Sequence, residues 1–478
     1  MSATEEVKKP SVVSANKTEE KQVTKTEDKT QTQSKDVPSA TELDTEDENH
    51  SSPSRKQNSN ASASAKNFSP ISIPKQELKA AAKGCKKDAE ENEHFDPVFY
   101  KNLVAMRQHD QTKRPTFNSQ PESAYEEGEI VLDVIAKKVS KAKDIRCHLK
   151  VKQQAYLGSG AFSDVYKGVV KPKDKKGCEE VTVAIKKIWP DPSREDRQIS
   201  IHRKLDHPNL IKLMYYYVCI HPKTKDTMWS LVLELMPSTV SQEQGKRMDR
   251  GTLLPALYAK LFMYQTFCGL LYLEKSRYFH RDVKPDNLLV NMATGVLKIG
   301  DFGSARKYRN YERNNAYQVT RYYRAPELCM KFTRYDTTVD AWAAGCILAE
   351  MLTNRVIFYG ENNADQLKKI FRICGTPSID QLKECVPGHE LDPDILKDKY
   401  PPANWFKILK RYNRSVTEVH ADIVGSILRY ECNKRLRGLD ALKHPFFDSL
   451  RKPTAKLPDG SPLPFLEHLN ETKKSVAA

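Results

Sequence analysis

The chain has 478 residues, with 78 Lys and Arg against 62 Asp and Glu, a net charge of +16. No apolar run approaches the roughly 20 residues of a membrane-spanning helix, and the polar N-terminus does not read as a signal peptide. Ten cysteines with no CxxC pair and no Cys/His cluster at zinc spacing argue for reduced thiols in a soluble cytosolic or nuclear protein.

Residues 1–94 contain one aromatic, Phe68, among Ser, Thr, Lys, Glu, Asn and Ala. Such a segment cannot bury enough apolar surface to offset its conformational entropy, and it reads as a disordered tail. It carries 15 basic against 17 acidic residues, so the basic excess, 63 against 45, belongs to the remainder. A basic body faces nucleic acid, an acidic membrane surface or an anionic protein, and composition does not choose among them. Residues 95–127, including "DPVFYKNLVAM", read as a linker or a short docking segment.

From about residue 128 the pattern changes to short runs rich in Val, Ile and Tyr. "EIVLDVIAKK", "HLKVKQQAYLG", "VTVAIKKIW" and "SLVLELM" read as strands; between the third and the fourth, Pro192 to Leu210 reads as an amphipathic helix running into a turn and a new strand. After Pro237 the periodicity turns helical. Leu257, Leu261, Tyr264, Cys268 and Leu271 recur at three and four, and "TVDAWAAGCILAEML" is apolar nearly all round, as a helix central to a lobe would be. The expected class is α+β. A small antiparallel β lobe with one main helix spans about 128–236, a larger α-rich lobe spans about 237–450, and 451–478 is an extension. Ligands are expected in the cleft between the lobes.

Three motifs carry chemistry. In "LGSGAFSDVYKG", Gly158 and Gly160 sit between strands, where the lack of a Cβ lets backbone N–H groups approach an anion. "VAIKK" puts Lys186 in mid-strand on the face of Ala184, towards that loop. Taken singly, a two-glycine hairpin is usually structural and a strand lysine usually faces solvent. The third element is "FHRDVKPDNLLV" followed by "LKIGDFGSAR" and "TRYYRAPEL". All of these in this order are not a coincidence.

With these motifs the chain resembles the eukaryotic protein kinases over roughly residues 128–450, which implies the bilobal kinase fold, ATP and Mg²⁺. The resemblance implies that Asp282 accepts or orients the substrate hydroxyl, Lys284 neutralises charge on the moving phosphoryl group, and Asn287 and Asp301 hold Mg²⁺. Lys186 would pair with the α- and β-phosphates, and Glu327 with Arg435. Leu157, Gly158, Gly160, Val165, Ala184 and Leu289 would enclose the nucleotide, with Leu233 as gatekeeper and the backbone of Glu234, Leu235 and Met236 as hinge.

"DFGSARKYRNYERNNAYQVTRYYRAPEL", "AGCILAEMLTNRVIFYGENNADQLKKIFRICGTP" and "HPFFDSLRKPTAKLPDGSPLP" narrow the resemblance to the glycogen synthase kinase 3 (shaggy-like) family, with this chain a divergent member. This implies a serine/threonine kinase preferring protein substrates already phosphorylated four residues C-terminal to the target. Arg197, Arg281 and Arg306 would form the priming-phosphate pocket, a task suited to guanidinium forks. Tyr317 would be the activation-loop phosphosite, with Arg321 and Arg324 placed to receive its phosphate.

Gln198 stands where kinases carry the helix glutamate that pairs with the strand lysine. A neutral amide can hydrogen-bond Lys186 but offers no countercharge. The expected result is an active but weakened kinase; the alternative is a pseudokinase scaffold that reads phosphorylated partners. A nucleic-acid-binding reading rests only on the charge balance, so neither nucleic acid nor membrane is an expected partner. The tail shows no arginine-rich pseudosubstrate serine, and Pro387 to Phe406 departs from the family's scaffold-docking region, so scaffold partners are not assignable. The resemblance implies a monomer.

Overall fold

The computed structural model describes residues 130–140, 143–160, 163–174, 177–188, 197–220, 227–309, 312–317, 319–390 and 393–469. The readings of 1–94 and 95–127 lie outside them.

Six antiparallel strands form the small lobe: β1 (Ile130–Lys138), β2 (Ile145–Gly160), β3 (Ser163–Pro172), β4 (Val181–Ile188), β5 (Leu213–Ile220) and β6 (Thr227–Glu234). Strand alternation puts Ala136, Leu149, Val151, Val170, Val183, Ile185 and Val232 on one buried face. The expected antiparallel β lobe is formed, and because β1 also pairs with β5, the order β1-β2-β3-β4-β6-β5 closes it into a barrel. Gly168, on β3, allows close approach to its two neighbouring strands: a Cβ there would lie 2.7 Å from the Lys152 carbonyl and 2.5 Å from Ile185 Cδ1. Within the amphipathic stretch, the described residues from 197 on begin with α1 (Arg197–His202).

The large lobe begins with β7 (Ser238–Thr239) and α2 (Val240–Asp249), which Thr239 and Gln242 start with a capping box. In α3 (Ala256–Lys275) the single stripe read from the sequence understates burial. Tyr258, Phe262, Met263 and Phe267 are buried as well, because α3 packs against several elements at once, while Leu257 is only half-buried. The site-bearing strands follow: β8 (Tyr278–Phe279), β9 (Leu288–Asn291), β10 (Val296–Ile299) and β11 (Arg306–Lys307). Then come α4 (Pro326–Cys329) and α5 (Thr338–Thr353), in which every residue is buried. Helices α6 (Asn363–Cys374), α7 (Ile379–Cys385), α8 (Trp405–Tyr412), α9 (Glu418–Ile427), α10 (Gly438–Lys443) and α11 (Asp448–Arg451) complete it.

The expected extension packs on this body. Leu457 and Leu466 are buried, Tyr264 Oη donates to the Glu467 carbonyl at 3.0 Å, and His207 Nε2 lies 2.5 Å from the Glu467 carboxylate.

Candidate active site

The loop between β8 and β9 is fixed from below by one buried carboxylate. Asp340, on α5, accepts the backbone N–H groups of His280 (2.7 Å) and Arg281 (2.8 Å). These bonds hold Arg281 at φ 65°, a left-handed backbone that a non-glycine residue adopts only under constraint. Burial pushes the Asp340 carboxyl up against the pull of those donors. His280 Nε2 lies 2.8 Å from the Gly300 carbonyl, tying this loop to the next.

Asp282 is gripped on both oxygens. Asn287 Nδ2 donates to its carbonyl (2.8 Å) and to Oδ2 (3.2 Å), and Lys284 Nζ stands 3.3 Å from Oδ2. Thr320 donates to Oδ1 from its hydroxyl (2.8 Å) and its N–H (3.2 Å). Burial works against charge on Lys284, but the carboxylates of Asp282, Asp286 and Asp301 outweigh it and raise its pKa.

Across the cleft, Lys186 Nζ lies 2.6 Å from Asp301 Oδ1, which also accepts the Gly303 N–H at 3.1 Å. Burial opposes ionisation of Asp301, yet the Lys186 ammonium overrides it and holds the carboxyl well below the usual range. Asn287 spends its amide N–H₂ on Asp282, and its side-chain Oδ1 meets no donor among the described residues, while its backbone carbonyl accepts the Gly300 N–H at 2.8 Å. Asn287 and Asp301 therefore offer oxygen donors of the hard type that magnesium takes.

The β2–β3 hairpin carries Leu157, Gly158 and Gly160, and the register sets Val165 opposite Lys186 and Ala184 opposite Leu233. The Glu234 carboxylate is engaged by the Lys212 N–H (2.7 Å) and Lys298 Nζ (2.9 Å). Met236 and Leu289 pack against the large-lobe core. Gly300 gives Leu289 its room, since a Cβ there would meet Leu289 Cδ1 at 2.9 Å.

The Lys186 ammonium is hydrogen-bonded to Asp301 and not to Gln198. Gln198 is 9% exposed, makes no hydrogen bond to a described residue, and its Oε1 lies 3.5 Å from where a Cβ on Gly303 would stand. One turn on, His202 is 2% exposed, with Nε2 2.7 Å from the Ile211 carbonyl. Its ring lies 4.8 Å from that of Phe302, which lies 5.2 Å from that of His280. Sequence reasoning passed over His202, Thr320 and Asp340. For His202 the available signal was a polar residue on the apolar side of an amphipathic helix.

Of the three arginines, two are described in full; the side chain of Arg197 lies outside the described residues. Arg281 is 4% exposed, donates from Nε to the Ser304 carbonyl (2.7 Å) and stacks on Phe279 (5.2 Å). Arg306 pairs with Phe279 across β8 and β11, which brings it beside Arg281. It already forms an ion pair with Glu312 and a 3.1 Å hydrogen bond to Asn314 Oδ1. Tyr317 is 65% exposed under the Arg324 guanidinium, 4.5 Å from its ring, and a hydrogen bond from Arg321 lowers its phenol pKa. The expected Glu327–Arg435 pair is formed as two parallel bonds of 2.7 Å in a buried site.

The family model "Protein kinase domain" matches residues 151–447. A protein of Pyricularia oryzae named glycogen synthase kinase 1 is 34% identical over 314 residues, covering 65% of this chain and 76% of that protein.

Proposed function

We propose, for a chain that belongs to the protein kinase family in its glycogen synthase kinase branch, a division of labour among the residues of its cleft and a preference for primed substrates. The protein is a serine/threonine kinase, and kinases of this family use ATP and Mg²⁺. Phosphoryl transfer asks for positioning and charge neutralisation more than for covalent chemistry. Asp282 takes the substrate hydroxyl, with Thr320 and Asn287 fixing the carboxylate and Lys284 supplying positive charge beside it. Lys186 holds the nucleotide phosphates. Asn287 and Asp301 would hold Mg²⁺, whose chemistry is to neutralise charge on the phosphate oxygens. Leu157, Gly158, Gly160, Val165, Ala184 and Leu289 enclose the nucleotide. Because the Glu234 side chain is tied to Lys212 and Lys298, only the backbone of Glu234 and Met236 is left for the adenine edge.

Arg281 and Arg306, with Arg197, receive a phosphate four residues C-terminal to the target. The observation that carries this reading is the adjacency of Arg281 and Arg306 beside the loop that presents Asp282. Tyr317, against Arg321 and Arg324, is a phosphosite whose dianion those two guanidiniums would hold.

The test is transfer of labelled γ-phosphate from Mg-ATP to one peptide made with and without a phosphoserine four residues after its target serine. Wild type is expected to label the primed peptide faster, and Asp301→Asn to lose on the order of 1000-fold or more in rate. Equal labelling of both peptides would remove the arginine pocket. No labelling above Asp301→Asn, with phosphate-dependent peptide binding, would make the chain a phospho-reading scaffold.

A further inference from the structure

Two cysteines that phosphoryl transfer leaves unused flank the ion pair anchoring the activation segment. Cys385 is the last residue of α7, and Cys432 opens the 3-10 turn Cys432–Lys434 that leads into Arg435. Their sulfurs and a Glu327 carboxylate oxygen all lie within 4.8 Å of one another. The Cys385 thiol donates to Glu327 Oε2 at 3.8 Å, and Sγ of Cys432 lies 3.8 Å from the Cys385 carbonyl.

The backbone around the pair is held from both sides. Gln381 Nε2 donates to Glu431 Oε1 at 3.2 Å, and Lys434 Nζ reaches Glu384 Oε1 at 3.3 Å, so α7 and the turn are cross-linked already. A disulfide would bring the two sulfurs to roughly 2.05 Å, across a gap that the fold already holds within 4.8 Å. Access is asymmetric. Cys385 is 2% exposed, Cys432 is half-buried, and a cavity of about 240 Å³ lined by Gln381, Tyr430 and Glu431 opens beside the turn.

We propose that Cys385 and Cys432 are a covalent modification site, a thiol pair that a hydroperoxide oxidises to a reversible disulfide. The Cys432 sulfur attacks the peroxide, taking one oxygen to form a sulfenic acid and releasing water. Sγ of Cys385 then attacks Sγ of Cys432, the S–O bond breaks, and the hydroxyl leaves as a second water with the Cys385 proton. Two thiols and one hydrogen peroxide thus give one disulfide and two waters. The Cys385 thiol is pushed up by its hydrogen bond with Cys432, by burial and by the Glu327 charge, which makes the closing step slow. A metal ion is the poorer occupant, because both Glu327 oxygens are committed to Arg435 at 2.7 Å in a site closed to solvent.

The experiment treats the full chain with hydrogen peroxide, alkylates it under denaturing conditions and maps tryptic peptides without reduction. Glu384–Lys397 and Tyr430–Lys434 each contain one cysteine, so the link is unambiguous. The expected product joins these two peptides, vanishes on treatment with dithiothreitol and is absent from Cys432→Ser. In Cys385→Ser, the sulfenic-acid reagent dimedone is expected on Tyr430–Lys434. Recovery of both peptides fully alkylated, while Cys178 or Cys219 is oxidised, overturns the proposal. So does linkage of either peptide to another cysteine, or protection of both from alkylation by Zn²⁺ alone, which would make the cluster a metal site.

Discussion

With Gln198 in place of a carboxylate, the only one that Lys186 pairs with among the described residues is Asp301, 115 positions away in the chain. A nucleotide that engages Lys186 must therefore draw it from the residue that is also to hold the metal. Gln198→Glu restores a charged partner on α1 and is expected to raise kcat on a primed peptide by about 5-fold to 100-fold, matching roughly 1–3 kcal/mol. Steady-state rates at saturating Mg-ATP measure this, and an unchanged or lower kcat would show that Asp301 alone positions the lysine. The register that singles out position 198 was legible, because a motif fixes spacing along the chain. Where the Lys186 ammonium rests was not, since that depends on which groups the fold gathers across the cleft. The Glu327–Arg435 pair, by contrast, was implied by the kinase resemblance, and it is formed.

At the scale of elements, α1 is held to the body by a polar tether. His202 reaches the Ile211 carbonyl, and the Ile211 N–H in turn donates to Ile299 at 2.9 Å, next to the loop of Asp301. Burial lowers the His202 pKa from its ordinary value of 6.5 to about 4, helped by the nearby Lys186 ammonium and the His280 ring and opposed by the Ile211 bond and Asp301. Above pH 6.5 the ring is neutral in both folded and unfolded chains, so its full contribution is present. Between pH 6.5 and 4 only the unfolded chain binds the proton, and stability falls by about 3 kcal/mol over that window. Unfolding free energies of wild type and His202→Met, compared from pH 7.5 to 4, should diverge in slope by that amount; parallel curves would assign the acid sensitivity elsewhere. The helix itself was legible from its amphipathic pattern. Its histidine was not, because a single polar residue on an apolar side does not announce its acceptor.

For the whole molecule, the two-part plan followed from periodicity switching from two to 3.6, but the path of the C-terminus did not. Residues 457–469 cover α3 and end with Glu467 on His207, a contact spanning 260 positions. Long-range packing of this kind leaves no trace in local pattern, and so residues 451–478 read as an appendage. Truncation after Lys456 removes Leu457 and Leu466 and uncovers Tyr264 and Cys268. It is expected to lower unfolding stability by about 2–5 kcal/mol, read as a shift in the urea midpoint. A midpoint within error of wild type would mean that the segment lies on the body without supporting it.

The Arg306–Glu312 pair also could not be read from the chain, because it joins strand β11 to a loop residue whose position only the fold defines. On the primed-substrate reading, Glu312 is a resident anion that an arriving group must displace. A glutamate or aspartate four residues after the target brings one negative charge and would trade like for like, with nothing gained. A phosphoserine brings a charge of about −1.5 to −2 and three acceptor oxygens, enough to make the exchange favourable. Acidic imitation of the priming phosphate should therefore fail with this kinase, leaving its substrates dependent on a true prior phosphorylation.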